Sequence, residues 1–171
     1  TSPPADEPDR WEFRVMLDDR EIGFHNFELQ QQDNIERVNT EARFKVRVLF
    51  ITAYQYSHDN TEVWQGDCLQ SIESTTNDNG TRYAVSGEDS NEGFALSHND
   101  EQAALEQNCV QTFAYWNPEI LDAQKLLNAQ TGKVQPVSIE RLGEKDINVS
   151  GIQIPSDEYV ISTPDGDITV W

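Results

Sequence analysis

ARFKVRVLFITAYQY, residues 42–56, is the stretch on which the fold reading turns. Ala42, Phe44, Val46, Val48, Phe50, Thr52, Tyr54 and Tyr56 occupy every second position. A period of two is the mark of a β-strand with one buried face. At roughly 3.3 Å per residue, one continuous strand here would span about 50 Å. Such a strand must twist and bend, which predicts a large, strongly curved antiparallel sheet. Its second face changes character halfway, from Arg43, Lys45 and Arg47 to Leu49, Ile51 and Ala53. The first half is therefore expected to be covered on one face and the second half on both.

Working outward, Trp11, Phe13, Val15 and Leu17 alternate with polar residues, and Asp18-Asp19-Arg20 reads as a turn. The return strand begins at Ile22-Gly23-Phe24. Its apolar spacing slips from two to three between Phe24 and Phe27, which predicts a bulge near His25-Asn26. Downstream, His58-Asp59-Asn60 reads as the next turn. Residues 61–64 and 68–74 read as strands broken at Gly66-Asp67, and Asn79-Gly80 is a hairpin signal. Residues 87–108 are polar and acidic around a short Phe94-Ala95-Leu96 patch, and read as an irregular excursion.

One helix is predicted over residues 118–130. Asn117 suits the N-cap, Pro118 the first helical position, Glu119 the positive end of the dipole and Gly132 the C-terminal stop. Ile120, Ala123 and Leu127 form its apolar stripe, expected to pack over Leu49 and Ile51. Four short strands follow, around Val137 and Ile139, Ile147 to Ile152, Tyr159 and Ile161, and Ile168 and Val170, with a turn at Pro164-Asp165-Gly166. The fold class read from this order is mainly β: a curved antiparallel sheet or incomplete barrel with one α-helix packed on it. Residues 1–10 read as a flexible tail and 11–171 as a single β-rich domain.

Composition narrows the function. A net charge of −19 repels nucleic acid and anionic lipid, which need a positive footprint. No apolar run approaches the 18 residues of a membrane-spanning helix. The opening TSPPADEPD has the character of a tail left after signal-peptide removal. Trp171 falls inside an alternating pattern, so further natural strands are expected beyond it. Cys68 and Cys109 are either two buried thiols of a cytosolic protein or a disulfide of an exported one, and the Pro-rich start favours the disulfide.

No residue set carries a reaction. His25, His58 and His98 lie in separate segments without metal-ligand spacing, and acidic turns such as Asp18-Asp19 lack the pattern of a calcium loop. Ser57-His58-Asp59 contains the right types for a triad, but neighbours along a strand point apart. No phosphate or dinucleotide fingerprint occurs, so no catalytic residue, metal or cofactor is assigned. The Arg43-Lys45-Arg47 ladder is either neutralised by cross-strand carboxylates such as Glu12, Glu28 or Glu36, or an anion site at the mouth of a half-barrel. Tyr54, Tyr56 and Ile51, with Trp64, Tyr115 and Trp116, are core or the lining of an apolar groove.

Three blocks, WEFRVMLDDREIGFHNFEL, EARFKVRVLFITAYQYSHDNTEVWQGDCLQSIESTTNDNG and TFAYWNPEILDAQKLLNAQTGK, resemble a domain-of-unknown-function family of exported bacterial proteins. The resemblance implies a signal peptide and residues beyond Trp171. The layout of residues 66–80 is more remotely similar to the periplasmic lipoprotein-carrier half-barrels. Neither supplies a catalytic residue. The expectation is an exported, non-enzymatic binding module. It would hold a hydrophobic or amphipathic ligand at Ile51, Tyr54, Tyr56, Arg43, Lys45 and Arg47. The alternative is an accessory subunit of a periplasmic, outer-membrane or extracellular assembly.

Overall fold

The computed structural model describes residues 8–48, 51–106 and 109–171, with Val48 described by its backbone alone. Strands make up 74% of these residues, all in antiparallel sheets, so the mainly-β expectation holds. The chain divides into two compact units: residues 1–110 with Ala129–Gly132, and residues 111–128 with 133–171.

The first unit is an eight-stranded meander: β1 (Asp9–Leu17), β2 (Arg20–Gln32), β3 (Ile35–Val48), β4 (Ile51–Gln65), β5 (Cys68–Asp78), β6 (Thr81–Ser90), β7 (Gly93–His98) and β8 (Glu101–Leu105). Each strand pairs with the next across a two-residue connection. Where both turn residues have positive φ, as in Asp18-Asp19, Asn79-Gly80 and Asn99-Asp100, the turn twist matches the strand twist. β1 and β8 are the sheet edges and do not pair with each other, so the sheet is not a closed barrel.

Residues 42–56 are not one strand. They form the tips of β3 and β4, with Val48 opposite Ile51. A plain two-residue hairpin would invert the alternation on the return. Ala53 has no partner, however: Arg47 faces Thr52 and Val46 faces Tyr54. This bulge restores the parity, so Phe44 meets Tyr56 and Ala42 meets His58. The period-two pattern therefore runs unbroken through a reversal of the chain. The turn expected at His58-Asp59-Asn60 lies mid-strand. The excursion expected over residues 87–108 is in large part the end of β6 and the hairpin of β7 and β8. The bulge expected at His25-Asn26 is absent, because Phe24 and Phe27 lie on opposite faces of a regular strand. The shift occurs instead between Val15 and Met16, opposite Gly23 and Glu21.

One face of this sheet carries the core: Val38, Ala42, Trp64, Leu69, Ile72, Val85, Phe94 and Leu96 are buried. Gly87 lets the Phe94 ring lie across it, since a Cβ there would stand 2.3 Å from the ring. Ala129–Gly132 also belong to this unit. Gln130 accepts a hydrogen bond from the Tyr56 hydroxyl at 3.0 Å. Gly132, at φ +67°, packs so closely on His98 that a Cβ would meet its side chain at 2.9 Å. Cys68 and Cys109 are joined by a disulfide, with Cα atoms 4.8 Å apart.

In the second unit the predicted helix shortens to a single 3-10 turn, Pro118–Asp122. Its start is as expected: the Asn117 side chain accepts from the Glu119 N–H, and Pro118 opens the turn. Ala123 then turns extended, and Lys125–Leu127 (β9) pairs with Val134–Pro136 (β10). Leu126 and Leu127 are both fully buried, on opposite faces of a strand. That double burial, which a one-sided helical stripe does not provide, outweighs the helix propensity of residues 124–130. Gly132 still takes positive φ, in the hairpin loop rather than at a helix end. The expected packing of a helix over Leu49 and Ile51 is absent: Leu49 lies outside the described residues and Ile51 is 72% exposed. The rest of the unit is a three-stranded sheet, β11 (Ser138–Val149), β12 (Ile152–Thr163) and β13 (Gly166–Val170), with Ile161 buried. No described helix is long and apolar enough to cross a membrane.

Candidate ligand-binding face

Strand register brings residues distant in sequence into transverse rows on the core face. One row runs Phe13, His25, Ala42, His58, Thr76, Tyr83 from β1 to β6. The next contains Gly23, Phe44, Tyr56 and Asp78. A third contains Trp11, Phe27, Thr40, Asn60, Ser74, Val85 and His98. All three histidines thus share one face, although their sequence spacing gives no hint of it.

The rings pack on one another. Phe44 stacks on Tyr56 at 5.0 Å, His25 lies against Phe27 at 4.5 Å, and Phe13 meets Phe27 edge-on at 6.0 Å. Gly23 makes room beside Phe44, because a Cβ there would sit 1.8 Å from the Arg43 carbonyl. Polar groups interrupt the rings. The Tyr54 hydroxyl donates to Asp78 Oδ1 at 2.8 Å, and Gln130 Nε2 reaches Asp78 Oδ2 at 3.5 Å. Burial, reinforced by Asp78, pushes the Tyr54 hydroxyl up to about 12. Burial, with Tyr54 and Asp78 nearby, does the same to Tyr56.

His58 is buried and pairs through Nδ1 with Thr76 Oγ1 at 2.8 Å. Burial, helped by His25 and Arg43 and opposed by Asp59, lowers its pKa to about 4. Burial also lowers that of His25. Deeper on this face the buried Glu62 carboxylate accepts from Asn60 Nδ2 and Trp64 Nε1, both at 3.0 Å. Asn60 Oδ1 and Ser74 Oγ, on residues directly opposed across β4 and β5, have no hydrogen-bond partner among the described residues.

The basic ladder lies on the other face. Arg43 is held by Asp59 at 2.7 Å and Glu41 at 3.2 Å, and donates to the Ala42 and His58 carbonyls. Cross-strand neutralisation therefore accounts for Arg43, with partners other than Glu12, Glu28 and Glu36. Lys45 and Arg47 are exposed, opposite Gln55 and Thr52, and make no ion pair among the described residues. Of the six residues proposed from sequence, Tyr54 and Tyr56 stand together on the aromatic face. Ile51 stands at the hairpin tip. Ser57 and Asp59 face away from His58, so those three form no triad. Sequence reasoning weighed His58 only as a metal ligand or triad member and did not place it, Thr76, Asp78 or Gln130 on this face. The alternation of residues 54–64 carries the signal for His58, once the strand is continued past Tyr56.

That opposite face holds an open polar groove lined by Arg10, Asn26, Glu28, Asn39, Asp59 and Thr61. No group of three or more His, Cys, Asp or Glu side chains is placed to hold a metal ion among the described residues. The sequence profile of a family described as a domain of unknown function (DUF6134) matches residues 13–171. No curated protein and no solved structure matches the chain.

Proposed function

The chain belongs to the DUF6134 domain-of-unknown-function family, and we propose that it is a non-enzymatic, exported module that binds an amphipathic ligand on the aromatic face of its eight-stranded sheet. The observation that carries this reading is the mixture of surfaces there. Half-exposed rings of Phe27, Phe44, Tyr54 and Tyr56 lie beside a polar end built from Asp78, Gln130 and the Tyr54 hydroxyl. Strands of 13 to 15 residues coil as they twist, which supports a cupped face. A pure hydrocarbon would strip water from the Asp78 carboxylate without replacing it, at a cost of several kcal/mol, on the order of what burying a charge costs in proteins. An apolar tail along Phe44 and Phe27 with a donor-bearing head at Asp78 avoids that cost. The charge of −19 selects a neutral or cationic head. The disulfide supports an oxidising compartment, periplasmic or extracellular.

The test begins with native mass spectrometry of protein purified from its source, compared with the denatured sample. A small mass lost on denaturation is expected. Calorimetric titration with an alkylamine, a monoacylglycerol and a fatty acid of equal chain length should rank the fatty acid last. Phe44→Asp should weaken binding about tenfold or more, the scale of losing one buried aromatic contact. No co-purified mass and no heat with any of the three would overturn the reading. A second reading, the accessory subunit of an exported assembly, is favoured by one observation: the sheet ends in an open edge at β1.

A further inference from the structure

Going beyond ligand binding, we propose that edge strand β1 pairs antiparallel with β1 of a second copy, about a two-fold axis through Phe13. Three observations on this strand converge. It is a nine-residue edge whose only strand partner among the described residues is β2. Such an edge offers a row of free backbone donors and acceptors. It also leaves large apolar side chains in water: Phe13 is 52% exposed, Met16 50%, Leu17 42% and Trp11 37%. Native edges are ordinarily protected by charge, proline or brevity; this one is long and contains no proline, and its charges are of both signs.

The third observation is charge. Asp9, Arg10, Glu12 and Arg14 sum to zero, in a chain whose net charge is −19. This strand is a place where two copies approach without local repulsion. Symmetric pairing that continues the sheet keeps like faces together, so paired numbers must share parity. An axis at Glu12 would oppose Glu12 to itself and Arg10 to Arg14. An axis at Arg14 would oppose Arg14 to itself. An axis at Trp11 would pair Arg10 with Glu12 but shorten the overlap to residues 9–13. The axis at Phe13 uses the whole strand, Asp9 to Leu17. It sets Glu12 against Arg14 of the second copy twice over, Trp11 against Val15, and Phe13 against Phe13, with Asp9 opposite Leu17 and Arg10 opposite Met16 at the ends. The charged pairs fall on the polar face, and the apolar pairs extend the aromatic face from one copy into the next.

Sedimentation velocity of the full chain over a range of concentrations tests this. Wild type should dimerise reversibly. Glu12→Arg and Arg14→Glu should each raise the dissociation constant at least tenfold, because each places like charges opposite one another twice. The double variant restores both pairs and should return to within about threefold of wild type. Phe13→Cys should form a covalent dimer on mild oxidation, since paired Cα atoms 4.5 or 5.5 Å apart suit a disulfide. A wild type that is monomeric at every concentration overturns the proposal. So does a dimer indifferent to the single charge reversals, or a double variant no better than the singles. Loss of ligand binding with the dimer intact would instead count against the functional reading alone.

Discussion

His58 shows how much one side chain can report about the sheet around it. The unfolded imidazole titrates near 6.5, whereas the folded one titrates at about 4 because burial disfavours its charged form. Above pH 6.5 both states are neutral and the group contributes nothing to the pH dependence. As the pH falls through 6.5, the unfolded chain binds a proton that the folded chain refuses, so stability declines, levelling off below about 4. The full loss is roughly 3 kcal/mol. His58→Gln keeps a polar side chain opposite Thr76 but cannot titrate. Urea unfolding at pH 7 and pH 4.5 should therefore show a smaller loss for the variant than for wild type, by about 2 kcal/mol. Equal losses would mean that the acid sensitivity lies elsewhere. Asn117 gives a second prediction. Its side chain holds the Glu119 N–H at 3.0 Å, so Asn117→Ala should cost about 1 kcal/mol in the same assay.

Among the elements, the β2–β3 contact is the one that tolerates least. Any side chain at Gly23 strikes the Arg43 backbone, so Gly23→Ala should cost about 3 kcal/mol. Hydrogen exchange should show the loss first in the amides of β2 and β3; protection unchanged there would refute the steric account. The elements also show where sequence reading succeeds. Asp18-Asp19 and Asn79-Gly80 were legible because their residue types suit positive φ. The antiparallel pairing of β3 with β4 was not, because the sequence between them offers no turn former and the Ala53 bulge keeps the alternation in phase. The helix start at Asn117 was legible from local chemistry. Its end after Asp122 was not, because the pairing of β9 with β10 is a tertiary event. The aromatic face was half legible: Tyr54 and Tyr56 follow from alternation, while His25, Asp78 and Gln130 join them only through register and a distant loop.

For the molecule as a whole, the disulfide and the segment Ala129–Gly132 both tie distant parts of the chain. The Cys68–Cys109 bond, 41 positions apart, encloses β5 to β8 and stabilises by about 4 kcal/mol on chain-entropy grounds. Calorimetry with and without a phosphine reductant should show a clear fall in Tm on reduction; an unchanged Tm would mean that strand pairing alone holds the loop. Ala129–Gly132 acts on a different clock. Tyr54, Tyr56 and Asp78 leave the ribosome first, yet Gln130, which engages Tyr56 and Asp78, follows Asp78 by 52 positions. At about 5–20 residues per second, that interval is roughly 3–10 s. A nascent meander can pair its strands within milliseconds and must then wait, its aromatic side uncapped, for four residues not yet translated. Those seconds are when a chaperone would find this chain most worth holding.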